Sequence, residues 1–222
     1  MKSWYQLRYY WRYLFQTRHR HGHGVHSPFV FDLITEVIEE RYPYACYWDI
    51  EASLGDEIVP DSLSKKAARL LFRLLYYWRP DFMQAYGMDF AMTEGAGLVT
   101  TRAERGAAYA AFALRAAVQP DFPFLSHCRQ RNLFILNLQA MDQTKQDQAL
   151  AHVQDYVRQH NDAQKPEATM LIILRPHACK RHRQCVRQLK AQALFPLVLD
   201  MYDMTVMVAA PQLAAFESKI SY

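Results

Sequence analysis

The residue with the clearest link to ligand chemistry is Gly87, which directly follows an apolar segment, residues 82–86, that predicts a β-strand. Ligands of open parallel sheets bind beyond the carboxyl ends of the strands, so a cofactor is expected to contact this turn. Turns that hold a nucleotide cofactor commonly contain two or three glycines, whereas Gly87 is followed by Met-Asp-Phe-Ala-Met. Asp89 and Glu94 lie at the start of the predicted next helix, where a carboxylate can bind a cation or an amine or can simply complement the helix dipole. The sequence therefore predicts a strand-end site with an incomplete glycine turn.

Two histidine-containing segments have spacings that could ligate a metal ion. They are His19, His21, His23 and His26, and then His177, Cys179, His182 and Cys185. The first set suits a flexible chelating arm, but no acid or cysteine lies nearby, so a solvated hinge with His26 packed beneath the second helix is the favoured interpretation. In the second set, the surrounding lysines and arginines disfavour a dication, and a basic, partly exposed helix is favoured over a zinc site. No metal site is therefore assigned.

Length and composition indicate one folded unit. The chain has 222 residues, of which 51% are hydrophobic and 22% are charged, and this excludes disorder as the general interpretation. The length allows one substantial core, with or without a small appendage. The net charge of +4 is unevenly distributed, because residues 1–31 contain five basic residues, four histidines and no acid. An electrostatic partner is thus expected to contact the N-terminal arm.

Membrane and secretory signals are not recognisable in the sequence. No run of about 18 apolar residues predicts a transmembrane helix. The first residues, Met-Lys-Ser-Trp, lead into aromatics and arginines rather than into the apolar segment of a signal peptide. The four cysteines, Cys46, Cys128, Cys179 and Cys185, do not have the spacing of a disulfide framework. A cytoplasmic location is therefore expected.

Amphipathic patterns predict three helices before residue 80. Residues 3–18 carry one apolar stripe, and seven of the first fifteen residues are aromatic. A second helix begins with Ser27 as N-cap and Pro28 at the first helical position. Its predicted buried face consists of Phe29, Val30, Leu33, Ile34, Val37 and Ile38. Residues 41–65 are interpreted as a loop with short turns, and residues 64–77 as a third helix.

From residue 82 onward, strands and helices alternate. Strands are predicted at residues 82–86, 98–102, 122–126, 133–138 and 170–174, and helices at 104–117, 144–160 and 178–193. Segments 197–201 and 205–209 are separated by a short turn, which predicts a closing antiparallel pair. The continuous apolar run at 133–138 predicts a central strand that is buried on both faces. The alternation is typical of an α/β fold, a mostly parallel sheet with helices on both faces.

Local sequence adds to this pattern in two N-terminal segments, His23-Gly-Val-His-Ser-Pro-Phe-Val-Phe-Asp32 and Leu70-Leu-Phe-Arg-Leu-Leu-Tyr-Tyr-Trp-Arg-Pro80, and in the tail from Leu199 to Tyr222. These segments and the order of the elements resemble a bacterial group of class I S-adenosylmethionine-dependent methyltransferase-like proteins. The resemblance covers nearly the whole chain, with shortened connections. It implies a doubly wound, mostly parallel seven-stranded sheet (the Rossmann-like methyltransferase fold). Residues 1–80 would form an N-terminal helical cap and residues 81–222 the α/β domain, in one compact unit.

The resemblance places a cofactor site at the ends of the strands. Its residues are Gly87, Asp89, Glu104 and Asn137, with His26 near the mouth and Arg175 as a further pocket residue. Alanines stand at four positions of the family pattern: Ala85 for the acid before the turn, Ala91 for the second glycine, Ala103 for the ribose-binding acid and Ala140 for a histidine. Asn137 replaces an aspartate, and Arg175 with Pro176 replaces an acidic pair. Gly87 keeps the identity of the family residue, and Glu104, one residue late, could substitute for the ribose-binding acid.

These replacements weaken the binding expected for S-adenosylmethionine. A ribose diol without its carboxylate acceptor leaves polar groups unpaired, at about 1–3 kcal/mol each, and Arg175 near the sulfonium adds like-charge repulsion. The sequence therefore favours a methyltransferase-like protein with an eroded cofactor site, a non-catalytic binding or interaction protein for which no cofactor is expected. The alternative is an active S-adenosylmethionine-dependent methyltransferase with an atypical pocket around Gly87, Asp89, Glu104 and Asn137. No catalytic residue is assigned in either case.

The basic and aromatic N-terminal helix leaves several partners open. Its composition suits a homodimer or another protein partner, an anionic membrane surface, or packing against its own domain. Nucleic acid is disfavoured, because the sequence has no RNA-module signature and no zinc-finger spacing.

Overall fold

The computed structural model of the protein describes several ranges of the chain. They are Trp11, residues 25–54, residues 63–87, Cys128, residues 130–161, residues 167–211, residues 213–220 and Tyr222. Several sequence-based expectations lie outside these residues. They are the N-terminal helix apart from Trp11, the strands at 98–102 and 122–126, the helix at 104–117, and the site residues Asp89, Glu94 and Glu104.

The described residues form one six-stranded mixed sheet. Its strands are β1 (Phe82–Tyr86), β2 (Arg131–Asn137), β3 (Ala168–Leu174), β4 (Leu197–Asp200), β5 (Met204–Ala209) and β6 (Phe216–Lys219). The order across the sheet is β1-β2-β3-β5-β4-β6. Strands β1, β2 and β3 pair in parallel, β5 is antiparallel to both β3 and β4, and β6 is parallel to β4. The α/β fold with a mostly parallel sheet is therefore confirmed.

The order of the strands differs from that of the expected seven-stranded methyltransferase sheet, and two of the seven predicted strands lie outside the described residues. The described part of the chain contains six strands, and their order is not the classic methyltransferase order. The sequence does not predict β6, which has four residues and buries one of them, Ser218. A strand this short, at the outer side of β4, lacks the apolar alternation by which strands are recognised in a sequence.

The position of β2 agrees with its continuous apolar sequence. Strands β1 and β3 pair with β2 on its two sides. Leu133 and Ile135 pack into one hydrophobic layer, while Phe134 and Leu136 pack into the other. Burial of this strand on both faces is thus confirmed, and β2 is the second of the six described strands rather than a central one. The predicted antiparallel pair is confirmed as well, since β4 and β5 form a hairpin.

Two of the helices that cover the first face of the sheet begin where the sequence predicts. Helix α1 (Pro28–Asp32) has Ser27 as its N-cap and continues as a π-helix, Leu33–Ile38. The apolar face predicted for this segment is buried: Phe29, Val30, Leu33, Ile34, Val37 and Ile38. Helix α3 (Lys65–Trp78) has Ser64 as its N-cap. Trp78 Nε1 of α3 donates to the main-chain oxygen of Asn132 in β2 at 2.9 Å, which fixes the helical layer on the sheet.

A further helix, α2 (Cys46–Leu54), lies in the range that the sequence interprets as loop, so that interpretation is wrong here. The local pattern is weak, because the buried apolar residues of α2 are Tyr47 and Ile50. Long-range contacts stabilise it. The buried guanidinium of Arg73 in α3 donates to Tyr47 Oη at 3.0 Å and to the main-chain oxygen of Val37 at 2.6 Å. One side chain therefore joins the three N-terminal helical segments.

Two helices cover the opposite face of the sheet. They are α4 (Gln143–Asn161) and α5 (Lys180–Ala191), both in the ranges predicted from the sequence. Val153 and Val157 of α4 and Leu189 of α5 pack with Phe134 and Leu171 of the sheet. Described helices therefore pack on both faces of the sheet, the N-terminal helices on one face and α4 and α5 on the other. Among the described helices, none combines the length and the apolar character that a membrane crossing requires.

The strand directions place the ends of β1, β2, β3 and β4 at one edge of the sheet, together with the end of β6, which is parallel to β4. Strands β1, β2 and β3 are parallel, and β4 runs in the same direction because β3 and β4 are both antiparallel to β5. Their last residues are Tyr86, Asn137, Leu174 and Asp200. We call this edge, together with the loops that follow these four strands, the carboxyl edge. In open α/β sheets it is the edge at which ligands bind.

Candidate functional site at the carboxyl edge

Gly87, the first predicted site residue, is required by the packing of the chain itself. Its φ of +69° lies in the left-handed region that favours glycine. A Cβ atom at this position would lie 2.5 Å from the main-chain oxygen of Asn137 and 2.8 Å from Cγ of Met141. The turn after β1 and the loop after β2 are therefore in direct contact. This contact accounts for the glycine without any ligand.

The loop after β2 is held in place from helix α4. Asn137 ends β2, and a short 3-10 helix, Leu138–Ala140, follows it. The buried side chain of Gln146 in α4 donates from Nε2 to the main-chain oxygens of Leu138 and Met141, at 2.5 and 2.9 Å. These bonds fix the segment that meets Gly87. This part of the carboxyl edge is thus organised by main-chain contacts rather than by acidic side chains.

Arg175 connects the loops after β2, β3 and β4. Its main-chain N–H donates to the oxygen of Asp203, at 2.8 Å, in the turn between β4 and β5. Its guanidinium Nη1 donates to Gln139 Oε1 at 2.8 Å, next to the end of β2. Its φ of +51° is uncommon for a residue with a side chain, and such conformations persist where several contacts over-determine the backbone. A positive charge is therefore fixed at the carboxyl edge, between the ends of β2 and β3.

A buried histidine–aspartate pair lies beside Arg175. His177 Nε2 lies 2.7 Å from Asp200 Oδ1, and the exposed fractions of the two residues are 7% and 5%. The same carboxylate oxygen accepts from the main-chain N–H of Tyr202 at 3.2 Å. The ring of Tyr202 packs against His177, with centroids 5.6 Å apart, and Tyr202 has a φ of +61°. Two left-handed residues, Arg175 and Tyr202, therefore flank this pair.

The start of helix α5 completes this half of the edge. Cys179 Sγ accepts from the main-chain N–H of His182 at 3.5 Å, so a thiol serves as the N-cap. His182 Nδ1 donates to the main-chain oxygen of Arg175 at 3.2 Å. Burial lowers the pKa of His182, against the acceptor oxygen of Arg175, which raises it, and the charge of Arg181 lowers it further. His182 is thus held in its neutral form by burial.

These contacts give the histidine–cysteine segment a structural role. Burial raises the pKa of the Cys185 thiol, and Cys185 packs in the hydrophobic layer with Leu189. Among the residues that the structure describes, no three His, Cys, Asp or Glu side chains converge as metal ligands would. All four cysteines of the chain are free thiols. The interpretation of this segment as a basic, partly exposed helix agrees with the burial of α5, whose Arg187 is exposed while Leu189 is buried.

The structure brings some of the predicted site residues together and leaves others apart. Gly87 contacts the backbone of Asn137, and Arg175 reaches Gln139, two residues beyond Asn137. His26 is exposed, and it is its neighbour Val25 that packs against the core, so the interpretation that His26 packs beneath the second helix is wrong. The predicted roles of Asp89 and Glu104 concern residues outside the described part of the chain.

Sequence reasoning missed Asp200 and Tyr202 as parts of the edge. The signal was available in Asp200, an acid at the end of the apolar segment 197–200, which is the position from which strand-end residues reach a ligand. From the sequence, His177 was considered as a candidate metal ligand, whereas in the structure it pairs with the carboxylate of Asp200. The pairing depends on the strand order, because β5 lies between β3, which precedes the loop of His177, and β4, which ends at Asp200.

The chemistry that the edge can support follows from exposure and charge. A carboxylate that orients an imidazole is a common arrangement for proton transfer, but a substrate cannot touch a pair this deeply buried. The pair therefore fixes the loop after β3 on the end of β4. The groups of the described edge that remain partly exposed include the neutral amide of Asn137, the guanidinium of Arg175 and the carboxyl group of Asp203. Between the ends of β2 and β3, the charge of Arg175 disfavours a cationic ligand.

Comparisons with known proteins found no match for this chain among protein-family models, curated proteins or solved structures.

Proposed function

We propose that this chain is a methyltransferase-like protein that has lost its cofactor site and acts as a non-catalytic binding protein. The observation that carries the proposal is the guanidinium of Arg175, which is fixed at the carboxyl edge by its hydrogen bond to Gln139 at 2.8 Å. The β4–β5 hairpin supports the underlying fold assignment, because it agrees with the antiparallel terminal pair of the methyltransferase layout.

The charge of Arg175 opposes the binding of a sulfonium cofactor. Two positive charges about 7 Å apart repel each other by about 2 kcal/mol at an effective dielectric constant of about 20. An energy of this size lowers affinity by more than about tenfold. Arg175 cannot easily turn away, because its backbone and its side chain are held on different loops.

Two of the carboxylates that the resemblance expects are replaced at the same edge. Asn137 offers a neutral amide where the resemblance expects a carboxylate, and Ala85 offers no polar group at all. A hydroxyl that loses its acceptor on binding costs about 1–3 kcal/mol. Together with the repulsion from Arg175, these losses predict that S-adenosylmethionine binds too weakly to support catalysis.

Isothermal titration calorimetry of the full chain with S-adenosylmethionine and with S-adenosylhomocysteine tests the proposal. We expect dissociation constants weaker than about 1 mM for S-adenosylmethionine, and somewhat tighter values for S-adenosylhomocysteine, which lacks the sulfonium charge. A dissociation constant in the low micromolar range for S-adenosylmethionine would overturn the proposal. The active methyltransferase with an atypical pocket would then take its place.

Variants at the edge test the physical explanation. Arg175→Gln removes the charge and is expected to raise the affinity for S-adenosylmethionine at least about tenfold, while leaving that for S-adenosylhomocysteine nearly unchanged. Arg187→Gln, which removes an exposed cation of α5, is the matched control and should change neither affinity. The double variant Ala85→Glu with Asn137→Asp should add further affinity by restoring acceptors. No gain in any of these variants, at unchanged thermal stability, would contradict the electrostatic explanation.

A further inference from the structure

The large apolar side chains that the described residues leave exposed are concentrated near the N-terminus. They are Trp48, with an exposed fraction of 81%, Tyr42 with 64%, Trp11 with 56% and Phe31 with 42%. All four precede helix α3, and the described large apolar side chains of α4, α5 and the sheet are buried or only partly exposed. Aromatic residues exposed in one region of a protein commonly mark an interaction surface.

Three of these residues belong to one packed substructure. Phe31 lies on α1, Tyr42 on the connection to α2, and Trp48 on α2. The ring of Tyr42 contacts Tyr44 with centroids 5.4 Å apart, and Tyr44 contacts Tyr47 of α2 at 5.5 Å. The buried guanidinium of Arg73 donates to the main-chain oxygen of Val37, in the π-helix that continues α1, and to Tyr47 Oη of α2. The backbone segments that carry these exposed side chains are therefore held together by ring contacts and buried hydrogen bonds.

This region is also acidic. Residues 32–49 contain five acids and one arginine, a net charge of −4. Asp32, Glu36 and Asp49 are exposed, and Asp32 and Asp49 follow Phe31 and Trp48 directly in the sequence. The charges of Asp32 and Glu36 contribute to raising the pKa of Tyr77, after the larger effect of burial. We call the exposed residues Phe31, Asp32, Glu36, Tyr42, Trp48 and Asp49 the acidic aromatic surface.

The chain itself contains a segment of complementary composition. Residues 1–24 carry five basic residues, no acid and seven aromatic residues. Their net charge of +5 nearly matches the −4 of residues 32–49 in magnitude and has the opposite sign. Tyrosine, tryptophan and arginine, which are frequent in this segment, are also the residues that contribute most to binding at protein interfaces.

We propose that the acidic aromatic surface of one copy binds residues 1–24 of a second copy, so that the protein forms a two-fold homodimer. A reciprocal exchange of this kind satisfies both surfaces in both copies, which is the defining property of a two-fold interface. Trp11 favours exchange between copies over binding within one chain, because within one chain Trp11 and Trp48 both remain exposed. The proposal is independent of whether the carboxyl edge takes a cofactor.

An anionic membrane is the competing partner for residues 1–24. Each basic residue near such a surface contributes about 1 kcal/mol of attraction. The acidic aromatic surface lies close in sequence and would be repelled by the same lipids, which makes a second copy of the chain the better partner. Binding of a monomer to anionic vesicles through residues 1–24 would therefore contradict the proposal.

Sedimentation velocity of the full chain, over a range of protein and salt concentrations, is the first measurement. We expect a species of twice the 26.0 kDa monomer mass, with a dissociation constant that rises with ionic strength because exposed charges are screened. A monomer at every concentration overturns the proposal. So does a monomer that binds phosphatidylserine vesicles through residues 1–24.

A charge exchange identifies the surfaces. The segment variant carries Arg8→Glu and Arg12→Glu, and the surface variant carries Asp32→Lys and Asp49→Lys. The first variant lowers the net charge of residues 1–24 from +5 to +1, and the second raises that of residues 32–49 from −4 to 0. Each variant alone therefore loses charge complementarity in both interfaces of its homodimer, so we expect its self-association to weaken at least about tenfold. In a mixture of the two, one interface pairs the unchanged segment with the unchanged surface, so the heterodimer should be tighter than either variant homodimer. Recovery in the mixture cannot result from misfolding of either variant.

The matched control is Arg187→Glu, which reverses an exposed charge on α5, far along the chain from the proposed interface. It should leave the dimer unchanged. Self-association that persists in both charge variants, or two folded variants that fail to associate when mixed, overturns the proposal.

Discussion

His177 Nε2 and Asp200 Oδ1 lie 2.7 Å apart in the protein interior and tie the loop after β3 to the end of β4. His177 follows β3 and Asp200 ends β4, and β5 lies between these two strands. The pair therefore bridges the hairpin at the carboxyl edge. It also supports the neighbouring left-handed backbone of Tyr202, whose N–H donates to the same carboxylate oxygen at 3.2 Å.

Removal of Asp200 should destabilise the fold. Asp200→Ala leaves His177 and the N–H of Tyr202 without their acceptor in a buried site, so we expect the free energy of unfolding to fall by about 1–3 kcal/mol. Urea unfolding followed by circular dichroism measures this loss. Asp147→Ala, which removes an exposed carboxylate of α4, is the control and should change the free energy of unfolding by less than about 0.5 kcal/mol. Equal stabilities of the two variants would contradict the assignment.

His182 should make stability depend on pH below neutrality. Burial holds its folded-state pKa below the ordinary value of 6.5, so the unfolded chain takes up a proton more readily than the folded one. Its contribution to stability is therefore complete above pH 6.5 and is lost as the pH falls from there towards the folded-state pKa. We expect the free energy of unfolding of His182→Gln to decrease less between pH 7.5 and pH 5.5 than that of the wild type. Urea titrations at both pH values measure the difference, and identical pH dependence in the two proteins would show that His182 does not titrate in this way.

Gly87 should tolerate no side chain. Gly87→Ala places a Cβ atom 2.5 Å from the main-chain oxygen of Asn137 and forces alanine into a φ of +69°. Strain of this kind costs about 1–3 kcal/mol, which thermal unfolding would register as a lower melting temperature. Gln84→Ala, in the same strand and partly exposed, is the control and should have a smaller effect. A wild-type melting temperature for Gly87→Ala would show that the turn after β1 can separate from the loop after β2.

Arg73 should be indispensable for the N-terminal helices. Arg73→Met removes the buried donor to the main-chain oxygens of Val37 and Ile38 and to Tyr47 Oη. Unpaired buried acceptors of this number predict a loss of about 2–4 kcal/mol in the free energy of unfolding, measured by urea titration. Arg187→Met removes an exposed arginine and should cost less than about 0.5 kcal/mol. If both variants were equally stable, the three helical segments would have to be held together by apolar packing alone.

Several elements follow directly from local sequence. Ser27 with Pro28, and Ser64, mark two helix starts because N-cap bonds form within one turn of the chain. The apolar run in β2 indicates burial on both faces, and the hairpin of β4 and β5 follows from two apolar segments joined by a short turn. In each case the interaction that stabilises the element is formed by neighbouring residues, or by burial alone.

Other features depend on partners far away in the sequence. Helix α2 has a weak pattern of its own and is stabilised by Arg73 of α3. Strand β6 buries a single residue, and its pairing with β4 gives it its place. The prediction that His26 packs beneath the second helix was wrong for the same reason. Whether a loop side chain faces the core depends on the elements that the loop connects.

By itself, the sequence determined an α/β protein with helices on both faces of a mostly parallel sheet, and it identified Gly87, Asn137 and Arg175 as strand-end residues. What these residues do was decided by the tertiary structure. Position 87 must be glycine because a Cβ atom would clash with Asn137 and Met141. Arg175 is held by hydrogen bonds to Gln139 and Asp203. His177 pairs with Asp200 because the strand order brings the loop after β3 to the end of β4. Capping and hydrophobic periodicity act over a few residues and can be read along the chain. Strand order and loop contacts arise from burial shared between distant segments, and no local pattern encodes which of those segments will meet.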